Sequence, residues 1–191
     1  EHPKRGLVSP AEFIPIAERT GLIAEIDTWV MRQACQQMCL WQQAGVALSF
    51  VAVNVSSRLF ARRELFQQVA KVLHETGLDP ACLELEVTES AVMEDPEVAL
   101  EQMHRLRELG VRLAIDDFGT GYSSLLRLKR LPVQKLKIDQ GFVAGLPWDD
   151  DDAAIVRVII ALAQSMGMQV HAEGIEQVEQ ARFLLEQGCD L

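Results

Sequence analysis

Four short segments of this chain alternate apolar with charged or polar side chains. Leu83, Leu85 and Val87 alternate with Glu84, Glu86 and Thr88, and Leu113 and Ile115 with Arg112, Ala114 and Asp116. Leu136 and Ile138 alternate with Lys135, Lys137 and Asp139, and Val170 and Ala172 with His171 and Glu173. Successive side chains on a strand point to opposite faces, so each segment shows one apolar face and one charged face. A fifth strand is expected over 48–55, where β-branched residues gather. Helical stretches separate the strands, which implies right-handed βαβ units and a parallel sheet. A doubly wound sheet is covered by helices on both faces and should be apolar on both. A barrel accounts for the asymmetry: the apolar face packs on outer helices and the charged face lines the interior. An antiparallel sheet with one wet face is the competing arrangement, and the intervening helices argue against it.

Helices are expected after Ser9-Pro10-Ala11-Glu12, which has the form of a capping box with proline at N1. Others are expected over 25–43, 63–76, 95–109, 123–130, 149–167 and 177–187, several closed by a glycine. No repeat, low-complexity tract or linker interrupts the pattern, so 1–191 reads as a single domain. The chain opens on Glu1 without an initiator methionine or an apolar leader, as expected of a piece of a longer protein. No apolar run approaches the roughly 20 residues of a membrane span.

Composition narrows the partners. Asp+Glu 28 against Lys+Arg 18 gives a net charge of −10, which argues against a duplex-DNA binder held by phosphate contacts. That charge does not exclude a small anionic ligand, because bound divalent cations reverse the local field. Cys35, Cys39, Cys82 and Cys189 form no CxxC pair and are expected to be free thiols in a reducing compartment.

A barrel interior normally holds branched apolar residues. This one would hold Glu84, Glu86, Arg112, Asp116, Lys135, Lys137, Asp139, His171 and Glu173. Buried charges need partners or metals, and with both signs present some should pair with each other. Asn54, Glu86, Asp116, Asp117 and Glu173 stand at C-terminal strand ends, where barrels place their chemistry. Their hard oxygens suit Mg²⁺ or Mn²⁺ rather than zinc. The adjacent carboxylates Asp116-Asp117 suit a two-metal site, one bridging both ions and the other binding the second. Singly, each of these acids could be a solvated strand end or a helix cap; five on successive strands make a site. Lys137 could hold an attacking water or a phosphate oxygen, or be a structural ion pair to Glu86 or Asp116. His171 reads as a satisfied interior histidine rather than a catalytic one. Asp117-Phe118-Gly119 spells a kinase metal motif, but no glycine-rich or catalytic loop accompanies it. Gly119-Thr120-Gly121-Tyr122-Ser123-Ser124 reads as a mobile loop or a plain turn.

Asn54-Val55-Ser56, Glu86-Val87-Thr88-Glu89-Ser90, Asp116-Asp117-Phe118-Gly119-Thr120-Gly121, Lys137-Ile138-Asp139 and Glu173-Gly174-Ile175-Glu176 occur in that order. Together they resemble the EAL-domain cyclic-di-GMP phosphodiesterases of bacteria, and the opening 6–15 resembles the same family. The resemblance implies a TIM-like (β/α)8 barrel, here lacking about two N-terminal strands and the last C-terminal strand. It implies two ions, Mg²⁺ or Mn²⁺, with Asn54, Glu86 and Asp116 on the first and Asp116, Asp117 and Glu173 on the second. Lys137 would orient the attacking water or stabilise charge beside it. Asp139 and Glu176 would position water or a guanine. Glu89 would anchor the loop that begins Phe118, Gly119, Thr120 and Gly121. The activity implied is hydrolysis of cyclic di-GMP to linear 5′-pGpG, with a degenerate cyclic-di-GMP receptor as the alternative. A barrel enzyme acting on another phosphoester would have to reproduce all five motifs. A homodimer is implied through the short helix after residue 122 and the helix at about 152–166. So is a cytoplasmic domain in a parent protein with an upstream sensor or diguanylate cyclase domain, with or without a membrane anchor. The Glu-Ala-Leu strand that names the family does not occur in this sequence. With that strand absent and the barrel edges open, the isolated segment 1–191 is expected to hydrolyse little or nothing.

Overall fold

A computed structural model describes residues 4–62, 64–121 and 125–190. Its elements run α1 (Pro10–Thr20), α2 (Ile23–Gln43), β1 (Val51–Val55), α3 (Ser57–Phe60), α4 (Leu65–Thr76), β2 (Leu83–Thr88), α5 (Glu89–Glu94) and α6 (Pro96–Leu109). They continue β3 (Arg112–Phe118), α7 (Leu125–Leu128), β4 (Lys135–Ile138), α8 (Gln140–Ala144), α9 (Asp150–Ser165), β5 (Gln169–Ala172) and α10 (Val178–Glu186).

The strands lie in sequence order, β1-β2-β3-β4-β5. Every adjacent pair is parallel, which disposes of the antiparallel alternative. The outward-facing residues are the apolar set of the alternation. Leu83, Leu85, Val87, Leu113, Ile115, Leu136, Ile138 and Val170 are fully buried under the helical layer, where α5 packs on β2, α6 on β3 and α9 on β4 and β5. The opposite face carries the charges, and there Glu84, Glu86, Asp116 and Lys135 are buried as well.

The predicted interior pairing exists. In the register, Ala114 of β3 stands between Glu86 on β2 and Lys135 on β4, while Glu84 faces Arg112. Because Ala114 offers only a methyl group, Lys135 can reach across β3. Lys135 Nζ meets Glu84 Oε1 at 2.7 Å, both almost completely buried. The Phe50 ring lies against the same layer, with Lys135 Nζ 4.6 Å and the Arg112 guanidinium 4.9 Å from its centre. Arg112 also donates Nε to the Ala81 carbonyl at 2.9 Å.

Several local expectations are corrected. Pro10 opens α1 as expected, but the Ser9 capping box does not form: Ser9 makes no side-chain cap. Glu12 is instead held by Arg5, whose Nη2 donates to Glu12 Oε2 at 3.0 Å, because a guanidinium outcompetes a backbone amide for a carboxylate. The first strand spans only Val51–Val55. The helix expected over 63–76 is α4, and a short helix that was not expected, α3, precedes it, nucleated by Ser56, whose hydroxyl accepts from the Leu59 amide at 3.2 Å. Helix α5 starts at once after β2, since Thr88 caps it by accepting from the Ala91 amide at 3.3 Å. Phe118, expected in the loop, is the last residue of β3 and is buried. The helix expected from 123 is described as α7, Leu125–Leu128; Tyr122, Ser123 and Ser124 lie outside the described residues.

The cysteines are free: Cys35 and Cys189 are buried, Cys39 and Cys82 partly so. Burial, reinforced by Cys39, raises the Cys35 thiol to about 11, so it behaves as a small apolar core residue. Among the described residues no helix is long and apolar enough to cross a membrane.

Candidate active site

A break in the β3–β4 ladder builds the site. Ile115 pairs with Leu136, but the next partner of Ile138 is Phe118, so Asp116 and Asp117 together stand opposite the single residue Lys137. This is the two-against-one geometry of a β-bulge. In a regular strand consecutive side chains diverge to opposite faces. Here Asp117 adopts φ +52°, the one non-glycine residue with positive φ among the described residues, and both carboxylates reach the same side. Aspartate tolerates the left-handed region better than most residues, and Asp116 Oδ1 accepts the Asp117 amide at 3.0 Å.

Glu173 follows β5 and donates its amide to the Ile138 carbonyl at 3.1 Å. One oxygen each of Asp116, Asp117 and Glu173 lies within 4.8 Å of the others. Asp139 caps α8 by accepting from the Gly141 amide at 2.8 Å, and its carboxyl also reaches Asp117. Asp117 is raised above the ordinary carboxylate range, first by burial, then by the charges of Asp116, Asp139 and Glu173 and the hydrogen bond with Asp139.

The Lys137 ammonium sits among three acids. Its Nζ is 2.8 Å from Glu86 Oε2 and 3.1 Å from Asp116 Oδ1, and it pairs closely with Glu173. Burial alone would lower the ammonium, but the hydrogen bonds to Glu173 and Glu86 and the charge of Asp116 hold it above its ordinary value. Glu86 is raised by burial, which its contact with Lys137 only partly offsets. Asn54, the penultimate residue of β1, stands opposite Glu86 in the register and is exposed. His171, beside Lys137 in the register, is lowered by burial and then by Lys135, so it favours the neutral form.

Glu89 is buried at the start of α5 and reaches under the loop. Its Oε2 accepts from the Gly119 amide at 2.9 Å and the Gly121 amide at 3.4 Å. Oε1 has no hydrogen-bond partner among the described residues. A Cβ on Gly119 would lie 2.9 Å from the Phe142 ring at φ +103°, and one on Gly121 2.8 Å from Glu89 Oε1. Both glycines are therefore required for the approach. Thr120 closes the turn by donating Oγ1 to the Asp117 carbonyl at 2.8 Å.

Of the sequence-predicted residues, Asp116, Asp117, Glu173, Lys137, Glu86 and Asp139 are thus brought together. Glu176 is exposed, outside the acidic cluster, with its amide bound to Gln180 Oε1 at 2.9 Å. Gly174 makes the turn between Glu173 and Glu176. At φ +67° its Cβ would come within 2.7 Å of Gln140 Cβ. Gly174→Ala is expected to cost about 1–2 kcal/mol, seen as a lower urea midpoint at unchanged slope. An unchanged midpoint would mean that the turn relaxes freely.

The EAL domain family model matches residues 1–191. The chain belongs to the EAL domain family. It is 48% identical over 190 residues to the bifunctional diguanylate cyclase/cyclic di-GMP phosphodiesterase MucR of Pseudomonas aeruginosa, covering 100% of this chain and 28% of that protein. It is 44% identical over 190 residues to the cyclic di-GMP phosphodiesterase NbdA of the same organism, covering 100% of this chain and 24% of that one. The chain therefore spans about a quarter of the length of these curated relatives. The solved structure described as the PaMucR phosphodiesterase in complex with c-di-GMP superposes with a TM-score of 0.95 at 49% identity. That match covers 99% of this chain and 76% of the other. The five parallel strands of this EAL domain are accordingly an arc of a TIM-like α/β barrel.

Sequence reasoning missed Asp27 and gave Ser56 only as a member of the Asn54-Val55-Ser56 motif. The signal was present: Asp27 falls between Ala24 and Met31 on the buried stripe of α2, where an apolar residue is expected.

Proposed function

We propose that this EAL domain hydrolyses cyclic di-GMP to linear 5′-pGpG with the help of two divalent cations. The observation that carries the reading is the bulged pair Asp116-Asp117, grouped with Glu173 beside a lysine shared by Glu86, Asp116 and Glu173. The residues fit a pair of hard cations. The donors are all oxygens, and three carboxylates crowd within 4.8 Å, a like-charge cluster that a cation relieves. Asn54, Glu86 and Asp116 would hold one ion, and Asp116, Asp117 and Glu173 the other. Bound there, Mg²⁺ or Mn²⁺ would supply Lewis-acid polarisation of the phosphate and a water of lowered pKa.

The chain's own residues do the rest. Lys137 offers a fixed ammonium, held charged by its neighbours, to the attacking water or to charge developing on the phosphate. Asp139, pinned by its cap on α8, orients the water, and the exposed Glu176 contacts a guanine. Glu89 holds the loop of Phe118, Gly119, Thr120 and Gly121 against the bulge. Leu125, Leu126, Ile155 and Val158, exposed on α7 and α9, support a homodimer through those helices. We also propose that 1–191 is one domain of a cytoplasmic module joined to sensor or cyclase domains. In isolation it should turn over little substrate, because β1 and β5 each have one strand neighbour among the described residues.

The test is a chromatographic time course of cyclic di-GMP with the full-length protein and Mg²⁺ or Mn²⁺. Linear pGpG should appear, stop on addition of a chelator, and resume when excess cation is restored. Intact nucleotide that remains bound would identify a receptor and overturn the phosphodiesterase.

A further inference from the structure

The first strand ends at Val55, and the Ser56 amide lies beyond the sheet ladder. Its partner comes from the outer layer: Asp27 Oδ2, on α2, accepts that amide at 3.0 Å and the Ser56 hydroxyl in a closer contact. Ser56 in turn caps α3 through the Leu59 amide, and its carbonyl accepts the Phe60 amide at 2.9 Å. Asp27 is 8% exposed on a stripe otherwise occupied by Ile23, Ala24, Met31, Cys35 and Met38. A carboxylate in such a place is costly unless its hydrogen bonds serve something. Here burial raises the group, and the two bonds from Ser56 oppose that rise. What the pair holds is the turn two residues after Asn54. With Ser56 pinned on one side and Asn54 paired with Glu86 on the other, few backbone torsions remain free between them.

We infer that Asp27 is a positioning residue for the cation site, fixing through Ser56 the strand end that presents Asn54. The inference rests on the proposed role of Asn54 as a ligand. It extends that site outward to the helical layer, since groups that orient metal ligands set affinity without touching the ion. Asp27 is buried on α2 and bonded to Ser56, so its effect should appear in cation affinity ahead of any chemistry.

The experiment is Mn²⁺ binding to the full-length protein, by calorimetry without nucleotide, together with thermal unfolding of the metal-free forms. Asp27→Asn should weaken one of the two Mn²⁺ sites by about tenfold or more and leave the other near wild type. Ser56→Ala, which keeps the amide bond to Asp27, should weaken the same site less, and Ser56→Thr should restore it. Should Asp27→Asn fail to fold, the alanine and threonine pair at Ser56 decides. A variant that melts earlier yet binds Mn²⁺ as wild type does would make the contact purely structural and overturn the inference alone. Wild-type protein that binds no Mn²⁺ would overturn the two-cation reading, and this inference with it.

Discussion

Asp116→Ala and Lys137→Met are expected to lower cyclic di-GMP turnover alike, by on the order of 10²–10³-fold, while only Asp116→Ala weakens cation binding. Asp116 is the shared member of both proposed ligand sets and belongs to the group of oxygens within 4.8 Å. Its removal should weaken Mn²⁺ binding along with the rate. Lys137 is a cation within 2.8 Å of Glu86 and 3.1 Å of Asp116, so it competes for the same carboxylates. Methionine fills a similar volume without the charge. It should leave Mn²⁺ binding intact or tighter, yet remove the ammonium that meets charge developing on the phosphate. Initial rates and Mn²⁺ titrations on the same two variants separate these effects. Loss of Mn²⁺ binding in Lys137→Met would instead show the lysine to be a clamp holding three acids in place.

Lys135→Met is expected to destabilise the fold by about 3–5 kcal/mol, because it strands Glu84 without a counter-charge in the barrel interior. Both partners are nearly inaccessible, so water cannot screen the abandoned carboxylate. The double variant Glu84→Gln/Lys135→Met should recover most of that loss, since removing both charges also removes their desolvation penalty. Guanidinium unfolding of the two singles and the double completes the cycle. Equal loss in Lys135→Met and in the double would mean that the stability comes from the lysine ammonium against the Phe50 ring and not from the ion pair. The two layers of charge therefore have different work. Glu84 and Lys135 form a matched pair, whereas Glu86, Asp116 and Glu173 share one ammonium and keep net negative charge at the strand ends.

The alternation of Leu83, Leu85 and Val87 with Glu84 and Glu86 made the sidedness of the sheet legible, because a period of two admits only one assignment of faces. The same reasoning placed Glu84, Lys135 and Lys137 inside and required charges of opposite sign to pair there. It failed where local chemistry had two outlets. Ser9 and Glu12 spell a capping box, yet Arg5 takes the glutamate. Periodicity found the helix over 63–76 but could not show that Ser56 starts a separate turn before it. Glu89 and Asp139 were recognisable as members of ordered motifs. That Glu89 grips the Gly119 and Gly121 amides, and that Asp139 caps α8, needed coordinates.

The order of the strands and of the long helices, the apolar outer face and the oxygen-rich strand ends were determined by the sequence, since all follow from residue type and spacing along one chain; the ordered motifs carried the resemblance to the family. Tertiary structure alone decided the bulge that turns Asp116 and Asp117 to the same side, the reach of Lys137 across β3, and the grip of Asp27 on Ser56. Each of these joins residues from different elements, or breaks the period of a strand because of its neighbour. Such contacts are set by how the elements pack, and no local pattern carries them.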